Sequence, residues 1–188
     1  MDGDGEDRPE EIKDFLEQTK KSNNQPIVGE RIKRSEKWIF KLCYQFHKMI
    51  TFTFTGKSIK FGNFSCLPKS TVEKMVNEKA TWNSFSGSLK KVEDKLFSIP
   101  SIRGMRYFGP SKMSFYNLIK HSLSIIAVFK INVIIRSILF FLIYFVLILK
   151  NITYITSIPL ILVVIFVISV LEISKRENLD QLNNSLLN

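Results

Sequence analysis

One apolar run governs what this chain can fold into: from Val133 to Leu171, charge appears only at Arg136 and Lys150. A hydrocarbon core of about 30 Å is crossed by about 20 apolar residues rising about 1.5 Å each. Asn151 to Leu171 offers 21 residues without a charge and meets that length alone. Pro159 falls in its first turns, where a missing backbone donor is tolerated. The first half is shorter: Ser137 to Leu149 gives 13 uncharged residues, and extension back to Val133 gives 17 that include Arg136. Arg136 stands within a turn of the end, so its stem can carry the guanidinium to the headgroups. A soluble helix pair is disfavoured, because a 188-residue chain has too little other apolar surface to cover two such helices. The sequence therefore predicts a transmembrane hairpin over 133–172, turning at Lys150, Asn151 and Thr153, and a polar tail over 173–188.

Charge is distributed around that run. Residues 1–36 carry 7 basic and 10 acidic side chains, residues 37–136 carry 17 and 4, and the remainder carries 3 and 3. The excess of +13 thus lies in the block leading into the membrane. Lys/Arg-rich flanks stay cytoplasmic, so both termini are expected in the cytosol, with Lys175 and Arg176 agreeing. The first residues are acidic and lack the basic-then-apolar order of a cleavable signal, so insertion is expected to use the late segments themselves. Cys43 and Cys66 are too few and too far apart for a disulfide framework or a zinc site, which fits a reducing compartment; Cys43 is also a conceivable palmitoylation site.

Residues 1–30 are polar and poor in aromatics, and read as a disordered arm with one short helix over Pro9 to Lys21. Residues 31–110 read as a small basic α+β module in the cytosol. Ile39, Leu42, Cys43, Phe46, Met49 and Ile50 recur at helical spacing, with Lys37, Lys41, Gln45 and Lys48 on another face. Such a helix either lies in the membrane interface or packs on a small core. The alternation from Ile50 to Thr55, then Gly56-Lys57, then Ser58 to Phe61 predicts a β-hairpin. Pro68 is expected to start a helix near Ser70 to Lys79, with Ser70 and Glu73 at capping-box spacing, and Trp82, Phe85, Leu89, Val92, Leu96 and Phe97 give a further helical stripe. Ile99 to Pro110 reads as a linker, with Pro at both ends and Arg103, Arg106, Tyr107 and Phe108 inside. Basic residues among aromatics suit nucleic acid, or a membrane surface with rings at headgroup depth. Over 111–132 an apolar face edged by Asn117, Lys120, His121, Ser124 and Lys130 predicts an interfacial amphipathic helix.

No signature of catalysis emerges. His47 and His121 lack neighbouring ligands at metal spacing, no Gly-rich phosphate loop or nucleophile elbow is present, and acidic residues are absent from 95 to 171. No catalytic, cofactor, metal or small-molecule site is expected. The glycosylation sequons at Asn63 and Asn151 are expected to go unused, the first in the cytosol and the second too close to the bilayer. The residues expected to meet headgroups or phosphate are Lys37, Lys41, Lys48, Arg103, Arg106, Lys112, Lys120, Lys130 and Arg136.

The whole reads as a mainly α membrane protein: a two-helix hairpin, an interfacial helix before it, and a basic α+β module. In the layout of residues 111–176, with Lys130 and Arg136 leading into Ser137-Ile138-Leu139-Phe140-Phe141-Leu142-Ile143-Tyr144-Phe145 and Lys175-Arg176 closing it, the chain resembles the small virion membrane proteins of negevirus- and cilevirus-like positive-strand RNA viruses. That resemblance implies a structural role: seating in a host-derived membrane of the endoplasmic reticulum or a virion envelope, self-association in its plane, and contact of the basic block with capsid protein or RNA. Two other readings are a two-span movement protein or reticulum-shaping hairpin, and a membrane-tethered nucleic-acid-binding adaptor.

Overall fold

A computed structural model describes residues 1–177 other than 24, 34–37, 103, 105, 106, 108 and 110–113; side chains are also left undescribed at 31–33 and 39–41. Seven α-helices and one small sheet form the described part: α1 Ile12–Lys21, β1 Ile27–Lys33, α2 Trp38–Thr55, β2 Phe61–Cys66, α3 Lys69–Asn77, α4 Phe85–Val92, β3 Phe97–Ile102, α5 Phe115–Ala127, α6 Lys130–Ile148 and α7 Tyr154–Ser174. The chain is mainly helical, with a small α/β part and two late apolar helices.

The sheet has the order β2-β1-β3, with β1 antiparallel to β2 and parallel to β3. Successive residues of a strand face opposite sides, and Ile27 and Val28 use this to build two cores. Ile27 packs with Phe15 of α1 and Phe64, and Val28 with Met75 of α3 and Leu89 of α4. Residues 1–30 are therefore not a disordered arm. The expected short helix is present as a 3-10 turn at Pro9–Glu11 followed by α1, but the segment also provides the central strand. Only three large apolar residues, Phe15, Ile27 and Val28, are buried by it. Their neighbours are polar enough to hide the pattern.

The expected hairpin at 50–61 is replaced by a helix that runs through Thr55. Thr-Phe-Thr-Phe-Thr alternates, yet Thr51 and Thr55 are also one helical turn apart, and the Thr55 hydroxyl donates to the Thr51 carbonyl at 2.6 Å. Packing decides the ambiguity, since Ile50 and Phe54 press on a core of Ile126, Ala127, Val133 and Val170. Gly56 ends the helix rather than turning a hairpin: it sits at φ +71, the left-handed stop that glycine accepts without strain, and its amide donates to the Phe52 carbonyl.

Three further boundaries differ. Pro68 precedes α3 as expected, but Ser70 lies inside that helix, no side chain caps its start, and it ends at Asn77 rather than Lys79. The stripe from Trp82 to Phe97 divides into a 3-10 turn at Lys79–Trp82, then α4 opened by the Ser84 hydroxyl accepting from the Gly87 amide, then the start of β3. The expected linker at 99–110 begins inside β3, where Pro100 is tolerated because the strand lies at the sheet edge.

Of the expected interfacial stretch 111–132, residues 111–113 lie outside the described residues; the rest is Ser114, α5, a turn at Val128 and Phe129, and the opening of α6, so the first late helix begins three residues before Val133. Residues 124–129 are all buried. This half of the apolar face meets protein: Ile126 and Ala127 join the core around Val133 and Val170, while Val128 and Phe129 pack with Ala80 and Ile59. At Gly87 a side chain would bring its Cβ to 2.9 Å from Val128, so the missing side chain lets α4 dock against this turn.

Candidate membrane anchor and its basal clamp

α6 and α7 are 19 and 21 residues long, and both are long and apolar enough to cross a membrane. Within their apolar windows only 17% and 6% of the residues are buried. A core helix of a soluble protein would have most of that window covered. Here Leu139, Leu142, Leu147, Ile155, Leu162 and Ile165 all stand more than half exposed. The two helices pack antiparallel, with Val133 meeting Val170 at one end. Between them runs an apolar groove of about 210 Å³, bordered by Ile138, Phe141, Val164 and Ile168, with the Ser137 side chain buried at its floor.

The two ends of this pair differ in chemistry. At the far turn Lys150 is exposed, and a capping box opens α7: the Thr153 hydroxyl accepts from the Thr156 amide, and the Thr156 hydroxyl accepts from the Thr153 amide. Pro159 is the sixth residue of α7, past its first turn, where the missing N–H removes the helical bond to the Ile155 carbonyl. The near end is polar and tied to the rest of the chain. Asn132 donates to the Thr55 carbonyl at 3.1 Å, and an Arg136 Nη donates to the Thr53 carbonyl at 2.9 Å. Both carbonyls belong to the last turn of α2, whose partial negative charge a guanidinium complements. Arg136 thus has a protein partner in addition to any it finds in headgroups.

Beyond α7, Glu177 closes the base. Its carboxylate, about 10% exposed, pairs with the Lys130 amine and accepts from the Asn83 amide nitrogen at 3.0 Å. One side chain therefore links the start of α6, the end of α7 and the turn before α4. Glu78 stands nearby. Burial works against its charged form, but hydrogen bonds from the Ala80 amide and the Lys91 amine, with the charges of Lys91 and Lys130, hold its pKa below the ordinary carboxylate value. Glu93 behaves alike: burial opposes ionisation, while the Thr71 hydroxyl and the Lys74 amine outweigh it and lower the pKa.

Of the basic residues singled out in the sequence, Lys37, Arg103, Arg106 and Lys112 lie outside the described residues. Lys41 is in α2, with its side chain undescribed. The Lys48 amine stands 5.5 Å over the Tyr44 ring, Lys120 is exposed on α5, and Lys130 and Arg136 are engaged as above. The structure brings Lys130 and Arg136 to one end of the hairpin. Sequence reasoning missed Glu177 and Asn83, and the partner of Asn132, because these contacts join residues 47 to 94 positions apart. His47 and His121 are far apart in sequence, yet the charge of His121 reaches His47. Burial, and then that charge, lower the His47 pKa; the His47 ring lies 3.4 Å from the Thr51 hydroxyl. Among the described residues no three His, Cys, Asp or Glu side chains are grouped to hold a metal. Cys43 and Cys66 are free thiols, and Cys66 accepts from the Thr19 hydroxyl at 3.5 Å.

No family model, curated protein or solved structure matches this chain.

Proposed function

We propose that this chain is a non-enzymatic integral membrane structural protein, inserted through the α6–α7 hairpin, with its α/β part and both termini on the cytosolic face. The observation that carries this reading is the exposure of two span-length apolar helices joined at one end to a folded, polar module. Leaving that surface in water is costly at roughly 25 cal/mol per Å², and a bilayer removes the cost. The location of Lys130, Arg136, Lys175 and Arg176 at one end, against Lys150 alone at the turn, favours insertion with the module retained on the cytosolic side. By the resemblance of its layout, the chain serves in a virion envelope or its parent reticulum membrane, assembling laterally with other copies. The nucleic-acid-adaptor reading has less support, because Lys60, Lys74 and Lys91 of the basic block are paired with Glu30, Glu93 and Glu78.

The test is extraction of membranes that contain the chain. Retention in the pellet through high salt and alkaline carbonate is expected, and release by either wash would overturn the anchor. Particles purified from a source culture should contain the chain. Absence from particles, with abundance in tubular reticulum, would replace the virion role with membrane shaping.

A further inference from the structure

α2 carries two neighbouring apolar faces that together cover about half its circumference. Its inner face, with Ile50 and Phe54, packs on the core at the hairpin base, and the Phe54 ring meets that of Phe166 at 4.6 Å. Its outer face carries Trp38, Leu42, Phe46, Met49 and Phe52, each between 58% and 72% exposed. At about 100° per residue these five fall on about a third of the helix circumference, so they form one stripe. Single exposed apolar side chains are ordinary, but a stripe of five, with two phenyl rings and a tryptophan and only Gln45 and Thr53 among them, marks a contact surface. A helix apolar over about half its circumference, with one part already packed, places the other part in a core or against lipid.

The position of α2 selects between these. Its last turn is held by Asn132 and Arg136 of α6, and Phe54 reaches Phe166, which lies about two turns inside the end of α7. Exposed Ile131 and Ile135 of α6 continue the apolar surface from there into the hairpin. Whatever medium surrounds the lower hairpin therefore also bathes the end of α2. At the edge of the stripe, half-buried Lys48 lies over the Tyr44 ring, a placement from which its amine can reach a lipid phosphate. Only α6 and α7 meet the length and hydropathy of a span among the described residues, so α2 is not a third crossing.

We propose that α2 is a third membrane-contacting element, half-submerged beside the hairpin, with its Trp38-to-Phe52 stripe among acyl chains and Lys48 at the phosphates. This rests on the anchor reading above and adds to it a surface that fixes how deeply the module sits.

The chain has two tryptophans, Trp38 and Trp82, so Trp82→Phe isolates Trp38 as a reporter. The full chain is placed in phosphatidylcholine–phosphatidylserine vesicles, with bromine on the acyl chains as lipid quencher and iodide as aqueous quencher. A second reporter, Ile161→Trp in a Trp38→Phe, Trp82→Phe background, reads α7. Because a half-submerged helix sits about 5–10 Å into the boundary, brominated lipid should quench Trp38 roughly two-fold, with little effect of iodide. Phe46→Glu with Met49→Glu should reverse that pattern at Trp38 and leave the Ile161→Trp reporter in lipid. Quenching of Ile161→Trp by lipid with Trp38 open to iodide would overturn the α2 inference and leave the anchor standing. Shielding of Trp38 from both quenchers would overturn it too, since protein would then cover the stripe. An Ile161→Trp reporter untouched by lipid would remove the anchor reading itself.

Discussion

Arg136 shows how a residue's surroundings redirect its chemistry. Its place near the start of an apolar run suggests a guanidinium reaching for headgroups, yet it donates to the Thr53 carbonyl and sits so near Gly56 that an added Cβ there would meet its Nη2 at 2.6 Å. Glu177 has the greater energetic consequence. Its carboxylate is almost wholly covered, while the Lys130 side chain remains 39% exposed. Removing one partner of a fully buried pair costs about 3–5 kcal/mol, and the water reaching Lys130 reduces that figure. Glu177→Gln should therefore destabilise the chain by about 1–2 kcal/mol, read as a lower thermal unfolding midpoint in detergent. Glu172→Gln, which removes an exposed pair with Lys175, should leave the midpoint unchanged. Equal shifts for the two variants would remove the special role of Glu177.

Among the elements, α7 was the most legible, because 21 uncharged residues leave few alternatives for a helix-forming chain. β1 was the least: Gln25-Pro26-Ile27-Val28-Gly29-Glu30 offers two buried apolar residues, and its strand character comes from pairing with segments more than 30 residues away. The Thr-Phe alternation of α2 suited a strand as well as a helix, and only the packing of Ile50 and Phe54 separates them. The polar face of the anchor was legible as charge but not as contacts, since Asn132 and Glu177 have no local pattern that names Thr55 or Asn83. The α3–α4 pair carries its own pH dependence. Glu78 and Glu93 have lowered pKa values when folded, so their contribution is full above about 4.5 and is lost as pH falls through the folded values. The lowered His47 pKa acts in the same direction at higher pH, because neutral His47 is favoured when folded and that preference begins to be lost below about 6.5. Acid titration should thus shift the emission of Trp82, beside the Glu78-capped turn, below about pH 4.5. Glu78→Gln should weaken that transition, and an unchanged transition in Glu78→Gln with Glu93→Gln would contradict the assignment.

As a whole, the molecule joins a sheet-centred module to an apolar hairpin through one shared junction. Val128 and Phe129 pack with Ala80 and Ile59, Gly87 lets α4 approach, and Glu177 returns the end of α7 to the same place. That junction puts the entry to α6 and the exit from α7 on the module's side, with Lys150 at the distant turn. If the hairpin crosses a bilayer, residues 150 and 151 lie on the opposite side from both termini. Glycosylation acceptors carried on spacers at positions 110, 151 and 188, one at a time, test this when the chain is inserted into microsomes. Modification is expected at 151 alone; modification at 188 without modification at 151 would contradict the hairpin.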